Sequence, residues 1–329
     1  MNETRILTRR DVQALLGWDE CIAAVESAFR LHAEGKSLPP GVLGVRAPHG
    51  GFHIKAGGLE LGRTYFAAKT NANFSDNPRR HGLPAIQGAI VLCDAEDGRL
   101  LAVMDSIEVT IRRTAAATAV AARHLARPES RTVAICGCGT QGRAQLRALT
   151  RVLPIARAHA FDADPAAAAA YAREMSAELR IEVTPASSPA AALAESDVCV
   201  TCTPSRQAFL LREHVRPGTF VAAVGADSPD KQELAPELMA ASVVVADVLE
   251  QCAEMGDLHH ALEAGAMSRD RVHAELAEVV TGRKPGRRSA DEVTVFDSTG
   301  TALEDVAAAV VVFEKALAAG AGLSVALGD

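Results

Sequence analysis

The chain has 329 residues, of which 48% are hydrophobic and 23% charged, a balance typical of folded globular proteins and not of disordered or fibrous ones. Its formal net charge is −7 and no dense run of Lys and Arg occurs, which argues against a nucleic-acid partner. It contains neither an apolar stretch of the roughly 18 residues that a membrane span requires nor a signal-peptide apolar region, so we expect no membrane partner and a cytoplasmic location.

Seven cysteines form an odd set, and most of them lie in apolar, strand-like runs. This usage indicates buried, reduced thiols in a reducing compartment. Cys199 and Cys202 match the C-x-x-C spacing, but they fall in a predicted buried strand, whose alternation sends their thiols to opposite faces. We therefore predict neither a metal site nor a redox pair.

Two amphipathic helices are predicted at the amino terminus. Thr8 is the expected cap of the first and Asp19 of the second, because short polar side chains accept hydrogen bonds from the free N–H groups of a first helical turn. An apolar stripe of the second helix is expected to face the core, and Gly35 is expected to end this helix.

The following segment, residues 42–105, predicts β-structure. The run Pro39-Pro40-Gly41 is expected to break the pattern between the second helix and this region. Within residues 42–105, Asp97-Gly98 lies between two apolar runs, which is a strong hairpin signal. An alanine-rich segment then predicts a helix over residues 109–125 that leads into the second part of the chain.

A glycine motif dominates residues 131–164. A short apolar strand precedes a G-x-G-x-x-G sequence, and an amphipathic helix follows it. Gly137 permits the tight turn, Gly139 lets the backbone approach a pyrophosphate, and Gly142 allows helix and strand to pack closely. The amino terminus of the helix offers free N–H groups and the positive end of its dipole to phosphates. The segment is therefore predicted to bind a dinucleotide.

An acidic residue, Asp162, ends the second strand of this motif, 20 residues after Gly142. A carboxylate at this place can accept hydrogen bonds from the ribose hydroxyls of the adenosine half, and it would repel the 2′-phosphate of NADP. The sequence thus predicts NAD as the cofactor.

Strands and helices continue to alternate beyond this motif, which indicates a doubly wound parallel sheet. Two loops here, TCTPSR with Thr203 and VGADSPDKQEL with Asp227 and Lys231, each follow the carboxyl end of a predicted strand, where ligands bind in such sheets. Asp227 taken alone could also be an ordinary turn residue. An apolar helix over residues 300–317 is expected to return to the first domain or to a subunit interface.

Several segments keep a characteristic order and spacing along nearly the whole chain: LLAVMDSIEVTIRRTAAATA, GCGTQG, TCTPSR, VGADSPDKQEL, DVLEQCAEMGD, VHAELAEVVTGRKPGR and VFDSTGTALEDVA. They resemble the motifs of the ornithine cyclodeaminase/mu-crystallin family, and in particular its archaeal alanine dehydrogenase branch. The resemblance implies an α/β homodimer with a Rossmann NAD-binding domain over residues 116–300. It also implies an α/β dimerisation and substrate domain formed by both chain ends, residues 1–115 and 301–329.

The resemblance implies roles for individual residues as well. The family's catalytic lysine falls on Lys69, its catalytic aspartate on Asp227, and an arginine that binds the substrate carboxylate or the cofactor on Arg113. Lys69 stands in an otherwise small and apolar strand, where burial would lower its pKa towards a useful acid–base range, although a strand lysine can also lie at an edge with its ammonium in solvent. Besides the three glycines, the implied contacts of cofactor or substrate are Thr114, Thr140, Gln141, Asp162, Thr203, Lys231, Ser298 and Thr299.

Two positions depart from the family pattern. The cyclodeaminases of the family have an arginine just after the proline, at the position where this chain has Gly41. They also have a glutamate at about the position of His53. Arg46 or Lys55 could therefore bind the substrate carboxylate instead. His53 and Lys55 share one face of a predicted strand, so both could point into the pocket, although His53 could equally be structural. The substrate is left open by these departures.

The resemblance implies hydride transfer between NAD(H) and the α-carbon of a small amino or imino acid, as in an alanine dehydrogenase or an imine reductase. In this hypothesis Arg113 neutralises the carboxylate, Lys69 polarises a carbonyl or water, and Asp227 handles the proton. One alternative is a cyclodeaminase that converts L-ornithine to L-proline and ammonia with catalytic NAD, which the departures disfavour. Another is a mu-crystallin-like protein that binds a small ligand and nucleotide without turnover, which the retained lysine and aspartate argue against.

Overall fold

A computed structural model describes residues 3–327. The chain divides into two compact units. The first contains the described residues up to Arg113 together with those from Thr301 onward, and the second extends from Thr114 to Gly300.

Strands and helices follow one another along the whole of the described chain. The first part forms β1 (Glu3–Leu7), α1 (Arg9–Leu15), α2 (Trp18–Ala33), β2 (Ser37–Ala47), β3 (Gly50–Leu61), β4 (Arg63–Asn73), α3 (Asn77–His81), β5 (Ile86–Asp94), β6 (Leu100–Asp105) and α4 (Ser106–Leu125). The middle part forms β7 (Thr132–Cys136), α5 (Thr140–Val152), β8 (Arg157–Phe161), α6 (Pro165–Leu179), β9 (Glu182–Pro185), α7 (Pro189–Leu193), β10 (Val198–Thr201), β11 (Arg206–Leu210), β12 (Phe220–Ala223), β13 (Gln232–Leu234), α8 (Pro236–Ala240), β14 (Val243–Ala246), α9 (Leu249–Met255), α10 (Asp257–Glu263), β15 (Ala274–Glu275), α11 (Leu276–Val280) and β16 (Thr294–Asp297). The last part forms α12 (Ala302–Ala319) and β17 (Leu323–Ala326).

The first unit is built on a sheet with the strand order β17-β1-β6-β5-β4-β3-β2. Strands β2 to β6 form an antiparallel meander, β1 joins β6 in parallel, and β17 lies antiparallel to β1 at one edge. Helix α12 packs against α2, β3 and β4. Its apolar side chains are buried along most of its length, which explains why so apolar a helix is stable here. The prediction that this helix returns to the first part of the chain is confirmed.

The two amino-terminal helices are present, but one predicted cap is wrong. Thr8 caps α1 as predicted. Helix α2 begins at Trp18, because the N–H of Gly17 donates to the carboxylate of Glu20, and Asp19 therefore lies inside the first turn instead of capping it. Strand β1, which precedes both helices, was not predicted.

The run Pro39-Pro40-Gly41 does not break the chain before the sheet, contrary to the prediction, but lies inside β2. Strand β2 forms an edge of the sheet, and its register against β3 shifts just before Gly41. An edge with a bulge tolerates two residues that lack N–H donors. The Asp97-Gly98 turn joins β5 to β6 as predicted, with Gly98 at a left-handed φ of 77°.

The sheet of the second unit is parallel throughout, in the order β15-β14-β16-β12-β10-β7-β8-β9. The chain moves outward from β7 through β8 to β9 and then crosses to β10 on the other side of β7. The strand order therefore reverses between β7 and β10, and ligands bind outside the carboxyl ends of strands at such a point. This arrangement confirms the predicted α/β class with a doubly wound, Rossmann-like sheet.

Two further observations concern the chain as a whole. Within residues 3–327, no helix is both long and apolar enough to cross a membrane. The seven cysteines are free thiols. Burial raises the pKa of Cys202 and Cys252 well above the usual thiol value, so both stay protonated and unreactive near neutral pH.

Candidate functional site

The glycine motif forms the tight turn between β7 and α5 that the sequence predicts. Gly137 has a φ of 110°, and a Cβ on it would lie 2.8 Å from the carbonyl oxygen of Cys202 in the loop after β10. A side chain at Gly142 would collide with the carbonyl of Gly137, so helix and strand approach closely here. A Cβ on Gly139 would meet nothing within 4 Å. The space above Gly139 is thus open at the amino terminus of α5, as a pyrophosphate group would require.

Asp162 lies beside this turn, at the end of β8. Its Oδ2 accepts a hydrogen bond from the N–H of Cys138 at 2.8 Å, and its Oδ1 accepts one from the N–H of Asp164 at 3.0 Å. These two bonds fix the carboxylate against the glycine turn. The side chain is half-buried, so its oxygens can also receive hydroxyl donors from a ligand.

Thr203 and Asp227 lie in the two loops that follow β10 and β12, as predicted. The N–H and the hydroxyl of Thr203 both donate to Oε1 of Glu233, at 2.6 and 2.7 Å. Asp227 is 53% exposed, and its Oδ1 lies 2.5 Å from Nζ of Lys231. These loops stand at the carboxyl edge of the sheet beside the switch point, where chemistry is expected.

Ser298 and Thr299 follow β16, and the buried carboxylate of Asp247 binds the turn that they form. Oδ2 of Asp247 accepts hydrogen bonds from the Ser298 hydroxyl at 3.0 Å and from the Gly300 N–H at 2.7 Å. The side-chain amide of Gln251 donates to the Thr299 hydroxyl at 2.6 Å. This turn is therefore rigidly attached to the sheet.

The remaining predicted cofactor residues also lie in the second unit. Thr140 is exposed and Gln141 half-buried, both in the first turn of α5. Thr114 lies on α4 and is half-buried.

A second cluster of candidate residues lies in the first unit, around Lys69 on β4. The ammonium of Lys69 lies 2.8 Å from Oδ1 and 2.7 Å from Oδ2 of Asp305 on α12. Arg113 of α4 binds the same carboxylate through Nε at 2.9 Å and binds Glu304 through Nη1 at 2.8 Å. All four side chains are at least 95% buried. The cluster is a network of charges removed from water.

The charges of this network act on one another. Burial, followed by the positive charge of Arg113, lowers the pKa of Lys69 to about 7, although Asp305 opposes this shift. Burial alone would raise the pKa of Asp305, but Arg113 and Lys69 together outweigh it and hold that pKa below its ordinary value. Lys69 can therefore exchange a proton near neutral pH, while Asp305 remains ionised.

Of the two residues that could replace the missing arginine, Arg46 and Lys55, the structure brings Lys55 to this cluster. Lys55 on β3 is buried and lies directly opposite Lys69 in the antiparallel register, so the two side chains share a face. His53 lies on the same strand and is half-buried. Arg46 is exposed and pairs with Gly51, four residues along the strand from the Lys55 row, or about 13 Å at the usual rise per residue.

Sequence reasoning missed the acidic members of both clusters, namely Glu304, Asp305, Glu233 and Asp247. A signal existed for the first two. They form the only adjacent acidic pair in a mostly apolar helix sequence, and such a pair indicates burial against cations.

Comparison with known proteins places these features in one family. The profile described as the ornithine cyclodeaminase/mu-crystallin family matches residues 2–320. The chain belongs to the ornithine cyclodeaminase/mu-crystallin family. The predicted resemblance is thereby confirmed over nearly the full length.

Other members of the ornithine cyclodeaminase/mu-crystallin family are similar in sequence and structure. Alanine dehydrogenase of Archaeoglobus fulgidus is 39% identical over 323 residues, which are 97% of each chain. A solved archaeal alanine dehydrogenase dimer with bound NAD is 38% identical, with a TM-score of 0.94 over 99% of each chain. A pyrroline-2-carboxylate reductase of Thermococcus litoralis, solved with NADH and L-proline, is 34% identical, with a TM-score of 0.93 over 98% of this chain and 100% of that one.

Proposed function

We propose that this protein is an NAD(H)-dependent oxidoreductase that acts on the Cα–N bond of a small amino or imino acid. The observation that carries the proposal is the buried Lys69, whose pKa of about 7 suits acid–base chemistry and which lies in a cluster with Arg113. The names of the related alanine dehydrogenases and the pyrroline-2-carboxylate reductase support the reaction class.

NAD(H) is the proposed cofactor, and the residues around the glycine turn fit it. The open space above Gly139 suits a pyrophosphate, and the half-buried Asp162 suits ribose hydroxyls. We assign the remaining contacts to the two glycines on either side, Gly137 and Gly142, and to Thr114, Thr140, Gln141, Thr203, Lys231 and Ser298. When bound, NAD accepts or supplies the hydride.

The substrate contacts follow from the charges of the first unit. Arg113 neutralises the substrate carboxylate, and its guanidinium is already oriented by Glu304 and Asp305. Lys55 adds a second cation on the same face as Lys69, and we prefer it to the exposed Arg46 as the replacement for the missing arginine. His53 and Thr299 are the further proposed contacts.

Two residues carry the proton chemistry in this proposal. Lys69 in its protonated form donates a hydrogen bond to the carbonyl or imine side of the substrate and polarises it. Asp227, whose side chain is 53% exposed, takes or returns the proton of the amine or of the attacking water. The two groups thus have separate tasks.

We also propose that the protein is a cytoplasmic homodimer. Strand β2 is an unpaired edge of its sheet, and it carries the exposed apolar residues Leu38, Val42, Leu43 and Val45. Exposed apolar edge strands normally require a cover, and a related alanine dehydrogenase is a dimer. Light scattering after gel filtration would give twice the chain mass, whereas a monomer at micromolar concentration would contradict the proposal.

A turnover panel tests the proposed activity. NADH absorbance would be followed with 2-oxo acids plus ammonia or methylamine and with cyclic imino acids, and NAD reduction with amino acids. Steady consumption or production of NADH supports the oxidoreductase and names its substrate class. Proline formed from ornithine without net change in NADH would show a cyclodeaminase instead, and NADH binding without any turnover would show a mu-crystallin-like binding protein.

A further inference from the structure

Glu233 connects the two loops that carry the proposed chemistry of the second unit. It is completely buried at the centre of β13. Its Oε1 accepts hydrogen bonds from the N–H and hydroxyl of Thr203, and its Oε2 accepts one from the N–H of Gly225 at 2.9 Å. Thr203 belongs to the loop after β10, and Gly225 lies two residues before Asp227 in the loop after β12. One carboxylate therefore spans both loops.

Helix α10 holds Glu233 in place from the other side. Oδ1 of Asp257, in the first turn of α10, accepts hydrogen bonds from the N–H groups of Glu233 at 2.8 Å and Leu234 at 2.9 Å. His260 of the same helix donates from Nε2 to the carbonyl oxygen of Lys231 at 2.9 Å. Both ends of the segment between Lys231 and Leu234 are thus attached to one helix.

The base of α10 is itself attached to the sheet. The N–H groups of Asp257 and Leu258 donate to the two oxygens of Asp297, the last residue of β16, at 3.3 and 2.8 Å. Three buried carboxylates, those of Asp297, Asp257 and Glu233, therefore connect the end of β16 with the loops of Thr203 and Asp227 by way of α10 and β13. Such a connection transmits the position of the rigid sheet to the loops.

We propose that Glu233 is a positioning residue, which fixes the Thr203 and Asp227 loops relative to one another and so sets both nucleotide affinity and turnover. The inference rests on the proposed function, because it assigns Thr203 to the cofactor and Asp227 to proton transfer. The two carboxylate oxygens of Glu233 bind Thr203 and Gly225. Its effect passes through the two loops that it joins.

A carboxylate is required at this position because both of its oxygens must accept. The donors are two backbone N–H groups, which cannot reverse their polarity, and a hydroxyl. Burial raises the pKa of Glu233, while the hydrogen bonds from Thr203 and Gly225 oppose this shift by favouring the ionised form. In Glu233→Gln the NH2 group of the side-chain amide must face either Thr203 or Gly225. It then opposes a backbone N–H, which is also a donor, and the hydrogen bond to that loop is lost.

The test compares Glu233→Gln with Asp197→Asn. The Asp197 carboxylate also accepts two backbone N–H bonds, from Arg131 and Thr132, and it forms an ion pair with Arg127. It precedes β10, however, and so lies at the amino ends of the strands, away from the loops of Thr203 and Asp227. We expect Glu233→Gln to weaken NADH binding and to lower kcat, each by about 10- to 100-fold, the range for a lost hydrogen bond to a charged group. Asp197→Asn should lower thermal stability but retain the wild-type NADH Kd and kcat.

A double-variant comparison separates positioning from general loss of structure. If Glu233 acts on turnover through Asp227, then Glu233→Gln should lower kcat far less in an Asp227→Asn background than in the wild type. If Glu233→Gln does not fold, Glu233→Asp tests the same connection. Aspartate keeps both acceptor oxygens and the charge but is one methylene shorter, so it should reach only one of the two loops and reproduce part of the loss of NADH affinity and turnover.

The outcomes distinguish failure of this inference from failure of the proposed function. A folded Glu233→Gln protein with wild-type NADH affinity and turnover would overturn the positioning role. Fully additive effects of Glu233→Gln and Asp227→Asn on kcat would overturn the claim that Glu233 acts on turnover through Asp227. A wild-type protein that neither binds NADH nor turns over any substrate of the panel would instead overturn the proposed function.

Discussion

Lys69 binds both carboxylate oxygens of Asp305, at 2.8 and 2.7 Å, across 236 residues of sequence. The pair is buried and shared with Arg113, so neither charge can be compensated by water. Asp305 is thereby the main group that opposes the loss of the Lys69 proton. The acid–base behaviour of the proposed catalytic lysine depends on a residue that is not itself part of the proposed chemistry.

The first prediction concerns this dependence. Asp305→Asn removes the negative charge that favours protonated Lys69, so the pKa of Lys69 should fall below its value of about 7 in the wild type. In the reductive direction, kcat/KM should therefore decline at a lower pH than in the wild type. Asp94→Asn is the control, since Asp94 is a buried carboxylate paired with Arg63 in the same unit. A pH profile unchanged by Asp305→Asn would contradict the role of the pair.

The second prediction concerns stability. The pKa of Lys69 is about 7 when folded and 10.5 when unfolded, so between these values the unfolded chain binds more protons at this site. Stability therefore rises with pH through this window, by at most about 1.4 kcal/mol per pH unit from one group, and is unaffected by Lys69 titration below it. Lys69→Met should show a shallower rise between pH 7 and 10 in denaturant titrations. An identical slope in both proteins would argue that Lys69 is not desolvated.

The third prediction concerns catalysis. Lys69→Ala and Asp227→Ala should each lower kcat by at least about 100-fold, the lower end for loss of a general acid or base, while NADH still binds. Lys36→Ala and Asp230→Ala are matched controls, because both side chains are exposed and lie on the same respective units. Full activity of either test variant would remove that residue from the catalytic assignment.

The fourth prediction concerns cofactor choice. Asp162→Ser removes the carboxylate that would repel the 2′-phosphate of NADP, so the ratio of kcat/KM for NADH over NADPH should fall by about 10-fold or more. The variant also loses the acceptor for the Cys138 N–H, so its thermal midpoint should be measured in parallel. A preserved ratio in a folded variant would show that another residue selects the cofactor.

The parts of this molecule that the sequence predicts well are local. The glycine turn, its flanking strand and helix, and Asp162 lie within one short segment, and each residue type is required by the geometry of its immediate neighbours. Parallel strands buried on both faces also read clearly as apolar runs. For this reason the Rossmann-like sheet and the loops of Thr203 and Asp227 were predictable.

The parts that were missed depend on distant partners or on the edge of a sheet. Asp305 meets Lys69 only because α12 packs against β4. Glu233 binds both loops only because the loops after β10 and β12 lie at the same edge of the sheet. Pro39 and Pro40 read as a break, but an edge strand with a bulge accommodates them. Asp19 is a good cap by type, yet the Glu20 side chain accepts from the N–H of Gly17, and the helix starts two residues earlier than predicted.

The central claim is hydride transfer to the α-carbon, and an isotope experiment tests it most directly. NADH deuterated at C4 of the nicotinamide, in each of its two stereochemical forms, would be supplied with the 2-oxo acid and amine, or the cyclic imino acid, that gives turnover. The proposal predicts an amino-acid product with one deuterium at Cα from one of the two forms and none from the other. Product formed without deuterium at Cα from either form would contradict it.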